Sequence, residues 1–247
     1  MKVEAEGRTA AGSPPEAASQ EAGRRADRLL EVGVTIAIAT VAAQSAAHLL
    51  GVLALDDRFL HLNADDEHGL PAWLGASATF AAAFGVLMLA LLRETIDRKL
   101  IALAGLLAFF SLDDAVAIHE RIGEKVAGAL GYGDIAERLA WPAVFLPLFF
   151  AGLVLLVYVG RQLPARLERL LYLGVGLLAL ALAAEAVSSV LYAFLDVERG
   201  SWPDSVEVVI EEGAELGAWM LIATALLAGV LGILDEDRAD GRRKLPA

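Results

Sequence analysis

Cysteine is absent from the 247 residues, which excludes disulfides, thiolate nucleophiles, iron–sulfur clusters and cysteine-based zinc sites. Basic residues are outnumbered by acidic ones, and the net charge of −12 argues against a nucleic-acid partner, whose phosphates would repel the chain. Residues 1–25 are rich in Ala, Gly and Pro without periodicity, so we predict a disordered tail there. The tail has no apolar stretch of signal-peptide type, and we expect the first hydrophobic segment to direct membrane insertion.

Apolar residues are abundant and occur in long runs. They make up 57% of the chain, with a mean hydropathy of +0.58. A membrane-spanning helix needs about 20 largely apolar residues, and six segments qualify: roughly 29–55, 72–92, 99–120, 141–160, 168–195 and 205–234. The run VFLPLFFAGLVLLVYV has no polar face to present to water, which argues against a soluble helical bundle. We therefore predict an all-α polytopic membrane protein with six transmembrane helices in one bundle over residues 26–235, followed by a basic tail over 236–247.

The distribution of Lys and Arg predicts the orientation in the cell (inner) membrane. Fifteen of the 20 basic residues lie in the two tails and in the 93–99 and 161–169 loops. By the positive-inside rule, both termini are expected in the cytoplasm and the other loops outside. Of those outer segments, 56–71 is predicted to be a solvated acidic loop, and 124–140 a short amphipathic helix lying on the membrane surface.

Acidic residues interrupt the third, fifth and sixth predicted spans at similar depths. Counting 1.5 Å per residue from the outer end of each span, Asp113, Glu185 and Glu215 lie ~16–18 Å deep. His48, His119 and Glu211 form a second level, ~9–12 Å deep by the same rise. At 100° per residue, Asp113 and Glu120 share a face while His119 points about 120° away, so Glu120 is the better partner for Asp113.

The acidic residues in these spans have no basic partner at their depth, because the only Lys and Arg within the span bounds, Lys99 and Arg169, stand at the predicted cytoplasmic ends. Seven ionised and unpaired acids would cost on the order of 15–20 kcal/mol on membrane-insertion scales. The carboxylates must therefore hold protons or bind a metal cation. The simplest alternative is that these acids line a wet crevice and only shape a polar core.

A buried metal site is the leading interpretation. Carboxylate and imidazole ligands suit iron, manganese or zinc, and the inventory is similar to that of di-iron helical bundles, although their Glu-x-x-His motif is absent. Such a metal would activate water or dioxygen for a hydrolase or oxidoreductase acting on lipids or small apolar molecules, with Glu120 or Glu212 as proton acceptor. The candidate ligands are Asp113, Asp114, His119, Glu185, Glu211, Glu215 and His48.

Two alternatives remain open. Carboxylates at mid-membrane depth form relays in proton- or cation-coupled transporters, but the chain is short for one and has no evident internal repeat, so a homo-oligomer would be needed. Haem bound between His48 and His119 is less favoured, because a polar contact within the bundle explains each histidine equally well.

The elements SLDDAVAIHERIG and IEEGAELGAW resemble a group of uncharacterised bacterial multi-pass membrane proteins. Its members carry Leu-Asp-(Glu/Asp)-x4-His-Glu on a middle span and Glu-Glu-x-x-Glu on the last one. The resemblance covers the chain from about residue 99 onward and implies importance for the matching positions, but it supplies no reaction. Those positions are Asp113, Asp114, His119, Glu120, Glu211, Glu212 and Glu215.

Overall fold

The structure is a computed structural model that describes residues 14–55, 61, 63–64, 69–130, 134–194 and 201–239. Within these ranges it is all-α, with seven helices and no strand. The helices are α1 (Pro14–Ala54), α2 (Leu70–Leu92), α3 (Arg98–Val116), α4 (Ile118–Leu130), α5 (Asp134–Gly160), α6 (Ala165–Phe194) and α7 (Trp202–Ala239).

Local sequence explains several helix ends. Pro71 stands in the first turn of α2, where a missing N–H costs nothing. The Asp97 side chain caps α3 by accepting a hydrogen bond from the Lys99 amide at 2.9 Å. Ala117, with φ 50° and ψ 51°, ends α3 in the left-handed region, which an L-residue other than glycine rarely adopts. The chain therefore changes direction at Ala117 and resumes as α4.

Helix α7 is the centre of the bundle and packs against α1, α2 and α6. Small residues allow the close approach, because a Cβ added at Gly33 of α1 would lie 2.5 Å from Thr224, and one at Gly174 of α6 would lie 2.9 Å from the Ala218 carbonyl oxygen. The apolar core follows the same helices, with fully buried Leu89, Leu103, Leu107, Leu171 and Leu226. Any side chain on the inner face of α7 is thereby held between three other helices.

Four helical segments within the described ranges are long and apolar enough to cross a membrane: Gly23–Ala54, Leu70–Leu92, Ala165–Ser188 and Trp202–Arg238. Val144–Gly160 of α5 is a shorter apolar segment. Lengths and apolarity of this kind are typical of helical membrane proteins. The 19-residue α3 is not among the four, since charged residues occupy both of its ends.

Four sequence predictions about helix boundaries are wrong. The tail predicted to be disordered over 1–25 is helical from Pro14, because its Ala, Glu, Gln and Arg residues are strong helix formers that extend α1 backwards. The third predicted span does not run to residue 120 but breaks at Ala117. The predicted helix over 124–140 is divided, since α4 ends at Leu130 and α5 begins at Asp134. At the other end, α7 continues to Ala239, past the predicted boundary at 235.

Other predictions lie wholly or partly outside the described residues. The acidic loop over 56–71 is described only in part, and residues 1–13 and 240–247 of the tails are not described. Glu120 belongs to α4, but its side chain lies outside the described set.

Candidate functional site

A cavity of about 160 Å³ lies at the end of the bundle where α2 begins and α3 ends. It collects ionisable side chains from α3, α4, α6 and α7, while α2 supplies a wall of small residues. The ionisable residues that line it are Asp113, Asp114, His119, Glu185, Glu211, Glu212 and Glu215. Asp113, Glu185 and Glu215, which helical rise predicts at one depth, therefore share one cavity, and no Lys or Arg is among its described lining residues.

His119 is bound to Asp113 at both its ring and its backbone. Its Nδ1 lies 3.1 Å from Oδ2 of Asp113, and its amide N–H donates to Oδ1 at 2.8 Å. The turn at Ala117 makes this possible, because on an unbroken helix the two side chains would point about 120° apart. The expectation that the His119 side chain points away from Asp113 is therefore wrong, while the predicted pairing of Glu120 with Asp113 lies outside the described side chains. Both side chains are largely buried, with 20% of His119 and 11% of Asp113 exposed.

The protonation states of Asp113 and His119 decide which of the two donates the hydrogen bond and which accepts it. An ionised Asp113 could only accept, so Nδ1 of His119 would then donate its hydrogen to Asp113, and in the neutral imidazole the lone pair would lie on Nε2. The same arrangement orients imidazole ligands in metal sites and imidazole bases in enzymes. His119 also lies close enough to Glu215 of α7 for the two to interact electrostatically.

The acidic groups of α6 and α7 form a connected row. The carboxyl group of Glu211 is within hydrogen-bonding reach of Glu185 on α6 and of Glu207, one turn away on α7. Further along the same face, the indole Nε1–H of Trp219 donates to Oε1 of Glu215 at 3.2 Å. The spacing i, i+4, i+8 of the three glutamates places them on one stripe of a continuous helix, as the sequence predicts.

Helix α2 closes the cavity with residues too small to fill it. A Cβ at Gly75 would lie 3.1 Å from Oδ2 of Asp114, so glycine leaves room for that carboxylate. Thr79, one turn later, also lines the cavity and donates its hydroxyl to the Gly75 carbonyl at 3.0 Å. Ser111 of α3 fixes the two helices to each other by donating to the Ala76 carbonyl at 2.7 Å.

Aromatic rings from α3 and α5 form the apolar side of the site. Phe110 and Phe149 line the cavity and stack with ring centroids 5.0 Å apart. Phe145 presents its ring edgewise to the His119 imidazole, at 6.2 Å between centroids. These rings lower the local dielectric around the Asp113–His119 pair, which strengthens its electrostatic interactions. No sequence pattern marked these rings, and Trp219 was missed as well, although the i+4 spacing of Trp219 from Glu215 places both on one face of α7.

His48, a predicted metal ligand, does not line the cavity. It is 97% buried, and its Nδ1 lies 2.8 Å from Oδ1 of Asn63 and accepts from the Ala64 amide at 3.3 Å. Ala64 itself lines the cavity, so His48 supports the cavity wall from behind. The prediction failed because depth along α1 says nothing about rotation around it. Within the described residues, His48 and His119 therefore do not share a pocket, and the haem hypothesis is not carried forward.

The seven cavity residues do not converge on one point. Among the described residues, no group of three or more His, Asp or Glu side chains is arranged to hold a metal ion. Glu211 instead lies within reach of Glu185, Asp113 contacts His119, and Glu215 accepts from Trp219. Glu212, the predicted proton acceptor, also lines the cavity, and no observation assigns it a role.

The match to a protein family covers the part of the chain that builds most of this site. A family model matches residues 94–229, more than half of the chain, and the matched region contains all seven ionisable cavity residues but neither His48 nor Gly75. No curated protein and no solved structure matches the chain. The chain belongs to the family described as Domain of unknown function (DUF8692).

Proposed function

We propose that the chain is an integral protein of the cell (inner) membrane with six spans, formed by α1, α2, α3, α5, α6 and α7. Four of these contain segments that meet the length and apolarity required of a span. Helix α3, of 19 residues, has a length of about 28 Å, close to the ~30 Å of a bilayer core. An even number of spans puts both termini on one side, and the Lys and Arg distribution favours the cytoplasm. The cavity then opens toward the outside.

The function that the site supports best is binding of a divalent metal. The observation that carries this proposal is that six carboxyl groups and one imidazole line a single cavity with no described basic residue among them. Negative charge gathered in this way needs protons or a cation. The volume of about 160 Å³ suits an ion with a few waters, and it is below the 300–1,000 Å³ of most sites for small organic ligands.

The donor set favours iron, manganese or zinc over calcium or magnesium, because it includes imidazole nitrogen. His119 is the proposed nitrogen ligand, oriented by Asp113, and Glu185, Glu211 and Glu215 are the proposed oxygen ligands. Binding would require these glutamates to leave their present partners and turn toward one another. A metal in this position would activate water or dioxygen, which fits a hydrolase or an oxidoreductase, with Glu212 as the candidate proton acceptor.

Metal analysis of purified protein tests this proposal. Protein prepared without chelator is expected to contain about one or two metal ions per chain, and Glu211→Ala and His119→Ala are expected to lose most of them. Glu31→Ala is the matched control, because Glu31 is exposed on α1 and is not part of the cavity. Metal-free wild-type protein, or equal metal content in all variants, would exclude the proposal.

A second candidate is a proton- or cation-coupled transporter. It is favoured by the row Glu185–Glu211–Glu207, because carboxyl groups that hydrogen-bond to each other must share protons, and such rows act as proton relays in membrane proteins. A single chain is short for such a transporter, so several copies would have to assemble into a homo-oligomer. Metal-free protein that carries a proton-linked flux in liposomes, abolished by Glu211→Gln, would favour this candidate over the first.

A further inference from the structure

Helices α1 and α6 border a second cavity, of about 410 Å³, which shares no lining residue with the acidic cavity. We call it the α1–α6 groove. Both helices pack against α7 and hold the groove between them. Along α6, Arg166 of the groove lies about 28 Å from Glu185 of the acidic cavity, so the groove is at the other end of the bundle. The residues that line the groove are Asp27, Leu30, Glu31, Arg166, Arg169, Leu170 and Leu173.

The α1–α6 groove is charged at one end and apolar at the other. At the charged end, Nη1 of Arg166 lies 2.6 Å from Oδ1 of Asp27, and this ion pair joins the two helices. Leu170 and Leu173 continue the wall along α6, and Leu173 is 55% exposed. A molecule that complements this surface needs a polar head and an apolar chain, and a phospholipid has both.

The groove lies where the edge of a bilayer is expected. The segments of α1 and α6 that are able to cross a membrane are Gly23–Ala54 and Ala165–Ser188, and the charged lining residues lie within about the first two to three turns of each. In the proposed topology, both segments begin at the cytoplasmic surface. Lipid head groups would therefore meet the charged end of the groove, while Leu173 would face the hydrocarbon layer.

Arg169 and Glu31 offer a ligand one positive and one negative group. The Nε–H of Arg169 donates to the Ala165 carbonyl at 3.1 Å, which holds the guanidinium in place and leaves its two terminal NH2 groups to donate elsewhere. Asp27 and Arg166 neutralise each other. Within the described residues, by contrast, neither Arg169 nor Glu31 is in an ion pair. A head group that carries charges of both signs can therefore bridge the two.

We propose that the α1–α6 groove binds a phospholipid with an ethanolamine head group. Its phosphate would accept hydrogen bonds from Arg169, and its primary ammonium would donate to Glu31. One acyl chain would follow Leu170 and Leu173. The volume of about 410 Å³ is within the range of ligand sites and suits one head group with the first part of its chain.

Charge complementarity selects this head group over the other common ones. An anionic head group such as that of phosphatidylglycerol would satisfy Arg169 but place negative charge beside Glu31. Phosphatidylcholine carries both charges, but its quaternary ammonium has no N–H to donate to a carboxylate. Only a protonated amine next to a phosphate gives each of the two side chains a charge-assisted hydrogen bond.

This site goes beyond the proposed metal function and does not depend on it. The groove and the acidic cavity have no residue in common, so metal content and lipid binding can be measured separately on the same protein. Loss of lipid selectivity would leave the metal proposal intact, and metal-free protein would leave the lipid proposal intact.

Native mass spectrometry of the full chain, released from detergent micelles, tests the proposal. The probes are phosphatidylethanolamine, phosphatidylcholine and phosphatidylglycerol with identical acyl chains. The wild type is expected to bind one phosphatidylethanolamine saturably, with a Kd about tenfold below those of the other two lipids. Arg169→Gln is expected to raise this Kd about tenfold, because a charge-assisted hydrogen bond to phosphate is lost. Glu31→Gln is expected to bring it to the value for phosphatidylcholine.

The matched controls are Arg161→Gln and Glu94→Gln, because both residues are exposed at the same end of the bundle and lie outside the groove. Both controls are expected to keep the wild-type preference. Arg169 and Glu31 are exposed as well, so their substitution should not disturb the fold. Equal binding of the three lipids or tighter binding of phosphatidylglycerol would overturn the proposal. An ethanolamine preference that survives both Arg169→Gln and Glu31→Gln would do the same.

Discussion

Asp113 holds His119 by both of its carboxylate oxygens, one bonded to the imidazole Nδ1 at 3.1 Å and the other to the backbone amide at 2.8 Å. A single carboxylate therefore fixes both the ring and the first turn of α4. This relationship depends on the left-handed residue Ala117 between α3 and α4. The proposed nitrogen ligand is thus positioned by a backbone turn and one side chain, before any ion is bound.

The turn at Ala117 can be tested by substitution. A residue with a Cβ pays about 1 kcal/mol or more in the left-handed region, so Ala117→Gly is expected to raise the free energy of unfolding by about 0.5–1 kcal/mol. Ala117→Val is expected to lower it by about 1–2 kcal/mol and to weaken metal binding, because β-branched residues fit this region worst. Thermal unfolding in detergent and metal titration provide the readouts.

The matched control for this pair is Ala115→Gly. Ala115 is exposed and lies within α3, where glycine costs about 0.5–1 kcal/mol, so the sign of its effect should be opposite to that of Ala117→Gly. The same sign at both positions would contradict the role assigned to the turn.

Gly75 is expected to control the space available to Asp114. In Gly75→Ala, the new Cβ would stand 3.1 Å from Oδ2 of Asp114, so the carboxylate must shift by a few tenths of an ångström. Stability should change by less than about 1 kcal/mol, because the end of a side chain moves easily, while metal affinity should fall severalfold. Isothermal titration with Mn²⁺ or Zn²⁺ measures the affinity.

Gly105→Ala is the comparison for Gly75→Ala. A Cβ at Gly105 meets nothing within 4 Å, so this change should stabilise α3 by about 0.5–1 kcal/mol and leave metal affinity unaltered. If the two variants bind metal equally, the α2 wall does not shape the site.

Asp97, at the opposite end of the bundle from the acidic cavity, is expected to make the stability of the fold depend on pH. The hydrogen bond from the Tyr158 hydroxyl at 2.7 Å, and then that from the Lys99 amide, hold the pKa of Asp97 below its ordinary value of 3.8. A lowered pKa in the folded state contributes stability above pH 3.8, and the contribution is lost as the pH falls through the folded-state pKa. Tyr158→Phe should therefore cause a small loss of stability at neutral pH that disappears in strong acid.

Thermal unfolding at neutral pH and in strong acid, below the folded-state pKa of Asp97, checks this prediction, with Tyr172→Phe as control. The Tyr172 hydroxyl donates to the Val157 carbonyl at 3.4 Å, which does not titrate. Loss of this hydrogen bond in Tyr172→Phe should therefore change the stability equally at both pH values. A Tyr158→Phe effect that persists unchanged in acid would contradict the coupling to Asp97.

Trp219 provides an optical signal for occupation of the cavity. Its indole N–H donates to Oε1 of Glu215, so a metal that recruits Glu215 should change the indole environment and the tryptophan emission. The change should saturate with added metal and vanish in Trp219→Phe. It should persist in Trp202→Phe, since Trp202 is 61% exposed at the start of α7. A response that follows Trp202 instead would place the metal elsewhere.

The shared cavity was predictable from the sequence because helical rise fixes depth. Asp113, Glu185 and Glu215 lie on three separate helices of one bundle, so equal distances from the helix ends brought them to one level. The position of His119 was not predictable, because the segment AVAIHE has no Gly or Pro to mark the turn at Ala117. The depth predicted for His48 agreed with that of the other candidates, but His48 does not line the cavity. The sequence of α1 alone does not indicate which face of the helix meets the cavity.

Electron paramagnetic resonance of the protein titrated with Mn²⁺ tests the central claim most directly. Mn²⁺ accepts oxygen and imidazole ligands, and a directly bound imidazole nitrogen modulates its spin echo. We predict one saturable Mn²⁺ site with nitrogen modulation that is lost in His119→Gln and retained in His48→Gln, with affinity reduced in Glu211→Gln. Absence of a saturable site, or nitrogen modulation that survives His119→Gln, would contradict the account.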